Sequence, residues 1–313
     1  MRKRIVLAAV AGIAGFAGAG LAESVTLTGN FPAAYRDASF LRRMAIDRFD
    51  GGDGPALSIA LERALAGDGS APAHFSVVSL SPRSGVGPSD ADGILSGLVS
   101  TEINENRDAQ QREECVEKVD DKCTKKQKIE IICRKRSIDV VADLRIARAR
   151  NGSVAYSNRK SRHDEITWCP GTNAPGPVEG IIRGMIDSIA AETAHEIAPY
   201  TERYALRFYE SRSGMPKDVA ATFKAAIKLT QRNLPEACQA FAAINGALPD
   251  QAIIVYDLGI CAEARGDYPA ALAQYRRAAD LRPRDRADFD AGIDRTQRLI
   301  VAQDDQRERA RRR

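Results

Sequence analysis

The sequence has few histidines and none of the common motifs on which catalytic sites depend. Its 313 residues include three histidines. It has no phosphate-binding G-x-x-x-x-G-K-[ST] loop, no dinucleotide-binding G-x-G-x-x-G turn and no G-x-S-x-G nucleophile turn. From His195 the sequence reads HEIAP, so Pro199 stands where the zinc-protease motif H-E-x-x-H needs its second histidine. We therefore expect a protein that is not an enzyme and that uses no catalytic residue, metal or cofactor.

Beyond its first residues the sequence also lacks a long apolar run. Three basic residues precede an apolar segment, residues 5–22, which ends in Gly20-Leu21-Ala22 with small residues at the −3 and −1 positions. This pattern is typical of a secretory signal peptide. We expect cleavage after Ala22 and a periplasmic or otherwise exported, soluble protein, whereas an uncleaved segment would anchor the chain in a membrane. No cysteine lies near the cleavage point, so we do not expect a lipid anchor.

The six cysteines lack the short C-x-x-C pairs that zinc sites usually show. An even number of cysteines in an exported chain favours disulfides. The sequence leaves the pairing open, although Cys169 could pair back to the cysteines before it. We expect Cys238 and Cys261 to be buried free thiols, with a disulfide as the alternative. The structural disulfide candidates are Cys115, Cys123, Cys133 and Cys169.

The charge of the chain is almost balanced. There are 46 basic and 42 acidic residues, and three of the basic ones lie in the signal segment. Basic residues cluster locally instead, between Lys125 and Arg136 and in the tail from Arg307 to Arg313. Such runs are typical of solvated surfaces and frayed termini, so we expect no nucleic-acid partner.

Residues 23–210 combine strand and helix patterns. Alternating apolar residues predict a half-buried strand from Ile138 to Ile146, and Asn151-Gly152 predicts a hairpin turn after it. An amphipathic helix is predicted at 178–197, and a second follows the turn at 51–54, where Asp53 could cap it. Further strands are predicted at 40–49, 74–80, 93–103 and 204–209, with a loop at 81–92. These elements predict an α+β domain, a mixed sheet with packing helices.

A highly charged insertion, residues 102–137, interrupts this domain and holds three of the disulfide candidates. It has too few apolar residues to bury a core of its own. We therefore predict a β-ribbon that extends the flanking strands and is tied by disulfides, which restrict the unfolded chain.

Everything after Pro216 is predicted to be helical. The segment 251–283 has small and aromatic residues at the spacing of the tetratricopeptide (TPR) repeat of about 34 residues, which it resembles. A shift by one repeat places Tyr275 on Phe241, whereas Leu258 falls on Lys224, a departure from the pattern. The resemblance implies a helical domain at 211–303 with two repeats and a capping helix, followed by the basic tail 304–313. The residues that carry it are Leu258, Gly259, Gly266, Tyr268, Ala271, Tyr275, Ala278 and Pro283.

Residues 39–199 are similar to the CsgG family of envelope proteins, which includes the curli secretion channel and the LpoB-type activators of cell-wall synthases. The similar segments are AIDRFDG with its following helix, HFSVVSL, DGILSGLV and DLRIARARNGSVAYS. The resemblance implies an α+β envelope module, and relatives of this module can form rings. This chain lacks the lipidated cysteine of the channel members. Its charged insertion would also be costly on a lipid-facing hairpin, so we do not expect a pore.

Together these patterns predict a non-enzymatic envelope protein-interaction or assembly factor. Its partners would be envelope proteins or peptides bound in a short TPR groove. Candidate contacts are the polar residues Lys224, Lys228 and Asp257, which the repeat geometry predicts to be exposed. One alternative is an envelope hydrolase with a dispersed site that uses His163, Asp164 and Cys169. Another is a component of an oligomeric, secretion-associated ring, which would make the protein a homo-oligomer.

Overall fold

The computed structural model describes residues 23–67, 73–79, 90–282 and 287–312. The signal segment, most of the predicted loop at 81–92 and Pro283 lie outside the described residues. The strands within these ranges are β1 (Ser24–Phe31), β2 (Arg43–Ile46), β3 (Ser76–Ser79), β4 (Gly93–Val119), β5 (Lys122–Arg148), β6 (Val154–Trp168) and β7 (Tyr200–Arg207). The helices are α1 (Arg36–Ser39), α2 (Gly54–Ala66), α3 (Val178–Ile197), α4 (Lys217–Leu229), α5 (Leu234–Ala247), α6 (Ala252–Ala264), α7 (Tyr268–Leu281) and α8 (Ala287–Arg311). None of the helices in the described ranges is both long and apolar enough to cross a membrane.

The chain divides into two compact units. One, called the helical unit, contains the described residues up to Gly29 together with Glu202–Ile300. The other, called the sheet unit, contains Asn30–Thr201 and the residues from Val301 onward. Strands β1 and β7 therefore contribute most of their length to the helical unit, whereas the predicted boundary at residue 211 leaves both in the α+β domain.

The sheet unit is built on a mixed sheet whose strands, in the described chain, follow the order β3-β2-β4-β5-β6. Strand β2 runs parallel to β3 and β4, and β4, β5 and β6 are antiparallel neighbours. The alternation in β5 is confirmed, because its even-numbered residues from Ile138 to Ile146 are buried and the odd-numbered residues between them are not. One face of the sheet therefore carries the core.

Helices α2 and α3 contribute their apolar stripes to the same core. Leu57 and Leu61 of α2 and Ile186 and Ile189 of α3 are at most 2% exposed. Burial of each side chain of this size contributes about 2 kcal/mol. The packing of the apolar faces of α2 and α3 against the apolar face of β5 therefore determines on which side of the sheet the helices lie. The predicted mixed sheet with packing helices is confirmed.

Strands β4 and β5 extend beyond the sheet as a long ribbon. Each strand has 27 residues, and their pairing continues from Gly93 opposite Arg148 to Val119 opposite Lys122. Asp120 and Asp121 turn the chain with positive φ angles of 51° and 60°, as a two-residue hairpin turn requires. Most ribbon residues are exposed. The ribbon is therefore held by its backbone ladder and by disulfides, not by a core of its own.

All six cysteines form disulfides. The four predicted candidates are therefore confirmed, and Cys169 does pair back to the ribbon strand β5. The prediction of free thiols at Cys238 and Cys261 is wrong. Helix α5 packs beside α6 and brings their Cα atoms to 5.7 Å, within the range that a disulfide spans. The pairs are Cys115–Cys123 near the tip of the ribbon, Cys133–Cys169 at its base and Cys238–Cys261.

The helical unit contains two helical hairpins, α4–α5 and α6–α7, followed by α8. Each second helix has an N-cap: the side chain of Asn233 accepts the Glu236 amide at 3.3 Å, and that of Asp267 accepts the Ala270 amide at 3.2 Å. Such caps satisfy backbone donors that the first helical turn leaves open. The predicted helical region is present, and its membership of the TPR family stays a prediction.

Most residues that carry the TPR resemblance lie in the core of this unit. The ring of Tyr275 is wedged between two glycines: a Cβ on Gly259 would lie 2.5 Å from the ring, and one on Gly292 would lie 3.0 Å from it. Gly266, with φ at 75°, follows the end of α6, where a left-handed residue is favoured. Of the remaining signature residues, Ala271 and Ala278 are fully buried, and Leu258 and Tyr268 are half-buried.

The basic tail is ordered over its described residues, and the expected fraying is not observed there. Helix α8 continues through the tail to Arg311. Within the sheet unit, Arg309 donates to the backbone carbonyls of Ser39, Leu41 and His74. These three acceptors lie around the end of α1 and just before β3. A long guanidinium side chain therefore fixes the last turns of a helix that has few apolar contacts of its own.

We expect the Cys238→Ala, Cys261→Ala double variant to lose about 3 kcal/mol of stability, because the disulfide that it removes closes a 23-residue loop. Hydrogen exchange followed by mass spectrometry should show faster exchange in α5 and α6. The matched Cys115→Ala, Cys123→Ala variant removes a disulfide from the sheet unit, and it should leave exchange in these helices unchanged. Equal acceleration by both variants would contradict this assignment.

We expect Gly259→Ala to destabilise the helical unit by about 1–3 kcal/mol, because its Cβ would overlap the Tyr275 ring, which Gly292 confines from the other side. The matched variant is Gly246→Ala on α5, where an added Cβ meets nothing within 4 Å. It should be neutral or stabilising by up to about 1 kcal/mol. Urea denaturation measures the stability of both variants. A Gly259→Ala variant as stable as the parent protein would show that Gly259 does not confine the Tyr275 ring.

Candidate functional site

An extended segment of the chain, Tyr204–Glu210, covers helices α6 and α8 within the helical unit. The Tyr204 hydroxyl donates to Glu263 of α6 at 2.9 Å, and the Tyr209 hydroxyl donates to Asp288 of α8 at 2.8 Å. Leu206 and Phe208, at most 5% exposed, belong to the same core as the helices. The face of α6 on which a partner peptide was expected to bind is therefore occupied by the chain itself.

A buried ion pair joins this segment to the helices. The Glu263 carboxylate has no exposed side-chain surface and receives the Arg295 guanidinium through two hydrogen bonds of 2.6 and 2.9 Å. The hydroxyls of Tyr204 and Tyr275 donate to the same carboxylate at 2.9 and 2.7 Å. Four donors on two oxygens satisfy the buried charge, which would otherwise cost several kcal/mol.

The protonation states follow from this arrangement. Burial alone would lower the pKa of Arg295, but the hydrogen bonds to Glu263 and its charge raise it overall. Burial first, and then the Glu263 charge, raise the pKa of the Tyr275 hydroxyl well above its ordinary value. Burial and the Glu263 charge raise the pKa of the Tyr204 hydroxyl as well, so both hydroxyls remain donors, and the cluster fixes α6, α7, α8 and β7 to one another.

Asp257 does not lie on an exposed groove, so that prediction is wrong. Its side chain is fully buried on α6, with one carboxyl oxygen accepting the Tyr209 backbone amide at 3.0 Å. The other oxygen has no hydrogen-bond partner among the described residues. Burial raises the pKa of this carboxyl well above its ordinary value, and the Tyr209 amide offsets only part of that rise. The error arises because α6 is covered on both sides, by its neighbouring helices and by the extended segment.

A cavity of about 490 Å³ opens beside the extended segment. Aromatic rings form one wall, since Tyr209 and Tyr256 pack edge to face with their centroids 5.1 Å apart. The charge of Arg295 at its edge is already matched by Glu263. The β7–α8 cavity, as it is called below, is lined by Ala205, Leu206, Arg207, Phe208, Tyr209, Glu210, Tyr256, Asp288, Ala291 and Arg295.

Lys224 and Lys228 are exposed on α4, as predicted, but the structure does not bring them to the β7–α8 cavity. They line a smaller cavity of about 140 Å³ together with Ile227, Arg212 and Glu210. Asp257 lines neither cavity. The three predicted contact residues therefore do not form one site.

The residues proposed for a hydrolase are also separated. His163 pairs with Asp139 through an Nδ1 to Oδ1 distance of 2.7 Å, on the exposed side of the sheet. Asp164 follows His163 on β6 and so points to the opposite face. Cys169 is locked in a disulfide with Cys133. The disulfide therefore excludes Cys169 as a free nucleophile, and a dispersed site that uses His163 and Asp164 stays a prediction.

A buried lysine, which the sequence patterns did not predict, joins α3 to the edge strand β6 by ion pairs. Lys160, with 2% of its side chain exposed, lies 2.8 Å from both Glu192 and Glu196. The Tyr156 hydroxyl also donates to Glu196 at 2.8 Å. Hydrogen bonds from Lys160 and Arg162 lower the pKa of Glu192. The sequence does contain an indication of this contact, because two glutamates lie one helical turn apart on α3 and polar residues alternate along β6.

The sheet unit has a wider and more open groove of about 690 Å³, lined partly by Asp47, Arg48, Asp143 and Arg159. It contains acidic and basic groups without an aromatic side chain among its lining residues. No group of three or more histidine, cysteine, aspartate or glutamate side chains in the described part of the chain is arranged to hold a metal ion. The β7–α8 cavity, which combines aromatic walls with charged groups, is the better candidate for binding.

Comparisons with known proteins give little beyond this geometry. No family model and no curated protein matches the chain. Among solved structures, two of the PelC dodecamer from Paraburkholderia phytofirmans match at TM-scores of 0.26 and 0.25, with 13% and 14% sequence identity. Each match covers 56% of this chain and 98% or 96% of the PelC chain.

We expect Asp257→Asn to stabilise the protein at neutral pH. Because the folded-state pKa is raised above the ordinary value of 3.8, the folded chain binds more protons than the unfolded chain in the interval above it. Stability contributed at this site therefore falls as pH rises through that interval. Asparagine has a similar shape, still accepts the Tyr209 amide and removes the titration.

Thermal unfolding measured from about pH 4 to about pH 8 checks this prediction. The Asp257→Asn variant should gain melting temperature over the parent protein as pH rises. The control, Asp280→Asn at an exposed position of α7, should follow the parent. A constant difference between parent and Asp257→Asn at every pH would show that this carboxyl does not titrate as described.

Proposed function

We propose that this protein is a non-enzymatic factor of the cell envelope that binds partner proteins through its helical unit. The observation that carries the proposal is the β7–α8 cavity, where aromatic walls, charged groups and an exposed strand meet in one concave surface. Such a combination is typical of recognition sites, because rings supply contact area and a few polar groups supply orientation. The three disulfides support an oxidising compartment and hence export with cleavage after Ala22.

The two resemblances of the sequence support the same function. Helical hairpins of the TPR kind bind extended protein segments. Modules similar to CsgG take part in assembly at the cell envelope. The protein would then bring an envelope partner, held by the helical unit, to the process that the CsgG-like sheet unit serves. The alternative of a cysteine-dependent hydrolase loses its nucleophile, because Cys169 is part of a disulfide.

Photo-crosslinking in intact cells tests this proposal. A photoreactive amino acid in place of Ala291, which lines the β7–α8 cavity, should give a discrete adduct with an envelope protein. The matched position is Ala243, which is exposed on α5 away from that cavity. It should give no adduct of the same size. Identical adducts from both positions, or none from Ala291, would contradict binding through this cavity.

A further inference from the structure

The direction of the hydrogen bonds along β7 leaves one edge of this strand, called the open edge, without a partner among the described strands. Among the described strands, β7 pairs only with β1. The Phe208 amide continues that pairing, since it donates to the carbonyl of Glu23 at 2.9 Å. Backbone groups of successive strand residues point to opposite edges, so those of Arg207 and Ala205 point away from β1. The next amide confirms this alternation, because the Tyr209 N–H points to Asp257 on the other side.

The β7–α8 cavity lies along this open edge. Its lining includes six consecutive residues, Ala205–Glu210, although their side chains alternate between the core and the surface. The first three belong to β7 and the last three continue it in extended form, and because successive side chains alternate, a cavity lined by all six lies along the backbone edge. The opposite wall is α8, where Ala291 leaves space. The cavity is therefore a slot with backbone donors and acceptors on one side.

We propose that this slot takes an extended segment of a partner protein as an added β-strand, with a lysine or arginine of that segment directed at Asp288. The inference rests on the proposed function and specifies how the partner is recognised. Strand addition satisfies the exposed N–H and C=O groups of Ala205 and Arg207, and alternate side chains of the added strand enter the flanking pockets. The bond from the Tyr209 amide to Asp257 ends the open stretch of the edge.

The charges of the slot favour a cationic side chain. Asp288 and Glu210 contribute carboxylates, and the charge of Arg295 is matched by Glu263. Arg207 is the remaining basic residue in the lining, so the slot has an excess of one negative charge, and Asp288 lies beside Tyr209, whose hydroxyl donates to it. A lysine or arginine placed there reaches Asp288 and lies near the face of an aromatic ring, an arrangement that attracts cations.

The first test uses the mature protein and a phage-displayed library of random heptapeptides. Enriched peptides should carry lysine or arginine at a fixed position within an alternating apolar pattern. N-methylation of synthetic copies should weaken binding about tenfold at every second residue, because each methyl group removes one hydrogen bond to the strand edge. Replacement of the basic residue by norleucine should weaken binding to the parent protein, and Asp288→Asn should weaken binding of the basic peptide only.

Proline substitutions separate strand addition from side-chain docking. Ala205→Pro removes an N–H that points into the slot while the fold tolerates proline on a strand edge, and it should weaken peptide binding about tenfold. The matched variant is Arg203→Pro, which lies on the same edge outside the slot and should bind as the parent does. Circular dichroism should show that both variants keep the fold.

Each outcome decides the proposal. Alternating sensitivity to N-methylation, together with loss of binding in Ala205→Pro alone, supports strand addition. Peptides that bind but ignore both changes would overturn strand addition and leave the proposed function intact. A library without enriched peptides would also overturn it, whereas the proposed function is judged separately by the adduct formed from Ala291 in cells.

Discussion

The helical unit depends on one buried carboxylate. Glu263 accepts two hydrogen bonds from Arg295 of α8, one from Tyr275 of α7 and one from Tyr204 of β7. The three donor residues come from three different elements, so the charge is satisfied only when all three elements are docked in one register. A buried charge that loses a partner costs about 3–5 kcal/mol, and alternative packings of these elements are therefore disfavoured. The Tyr275 ring also fits only between two residues without side chains, Gly259 and Gly292, and this steric requirement disfavours alternative packings as well.

This network also explains why the proposed binding surface differs from the predicted repeat groove. Tyr204 can reach Glu263 only if β7 lies along α6, and Leu206 and Phe208 then bury their side chains in the same core. The inner face of the helices is therefore covered by β7, whose open edge has no partner among the described strands. The proposed recognition therefore uses the backbone of β7 instead of side chains on α4 and α6, because the β7–α8 cavity combines the edge of this strand with aromatic walls.

Local patterns predicted the elements, whereas contacts between distant residues decided the site. The alternation in β5 and the charged composition of the ribbon were sufficient to predict a sheet and an exposed β-ribbon, because periodicity and burial are local properties. The burial of Asp257 was not predictable, since it depends on Tyr209, which lies 48 residues away in sequence. The same holds for the Cys238–Cys261 disulfide and for Arg309, whose acceptors lie more than 200 residues earlier.

In both units, an ion pair with a buried member lies where a helix packs against a strand. In the sheet unit, Lys160 on β6 is buried between Glu192 and Glu196 of α3, as Arg295 and Glu263 are buried beside β7 in the helical unit. An apolar contact at these places would hold a helix against a strand but would tolerate sliding by a turn, because hydrophobic burial is not directional. A buried ion pair with fixed hydrogen bonds does not tolerate such sliding. The position of β7, and with it the geometry of the β7–α8 cavity, is therefore set by the hydrogen bonds to Glu263 more than by the amount of apolar surface buried.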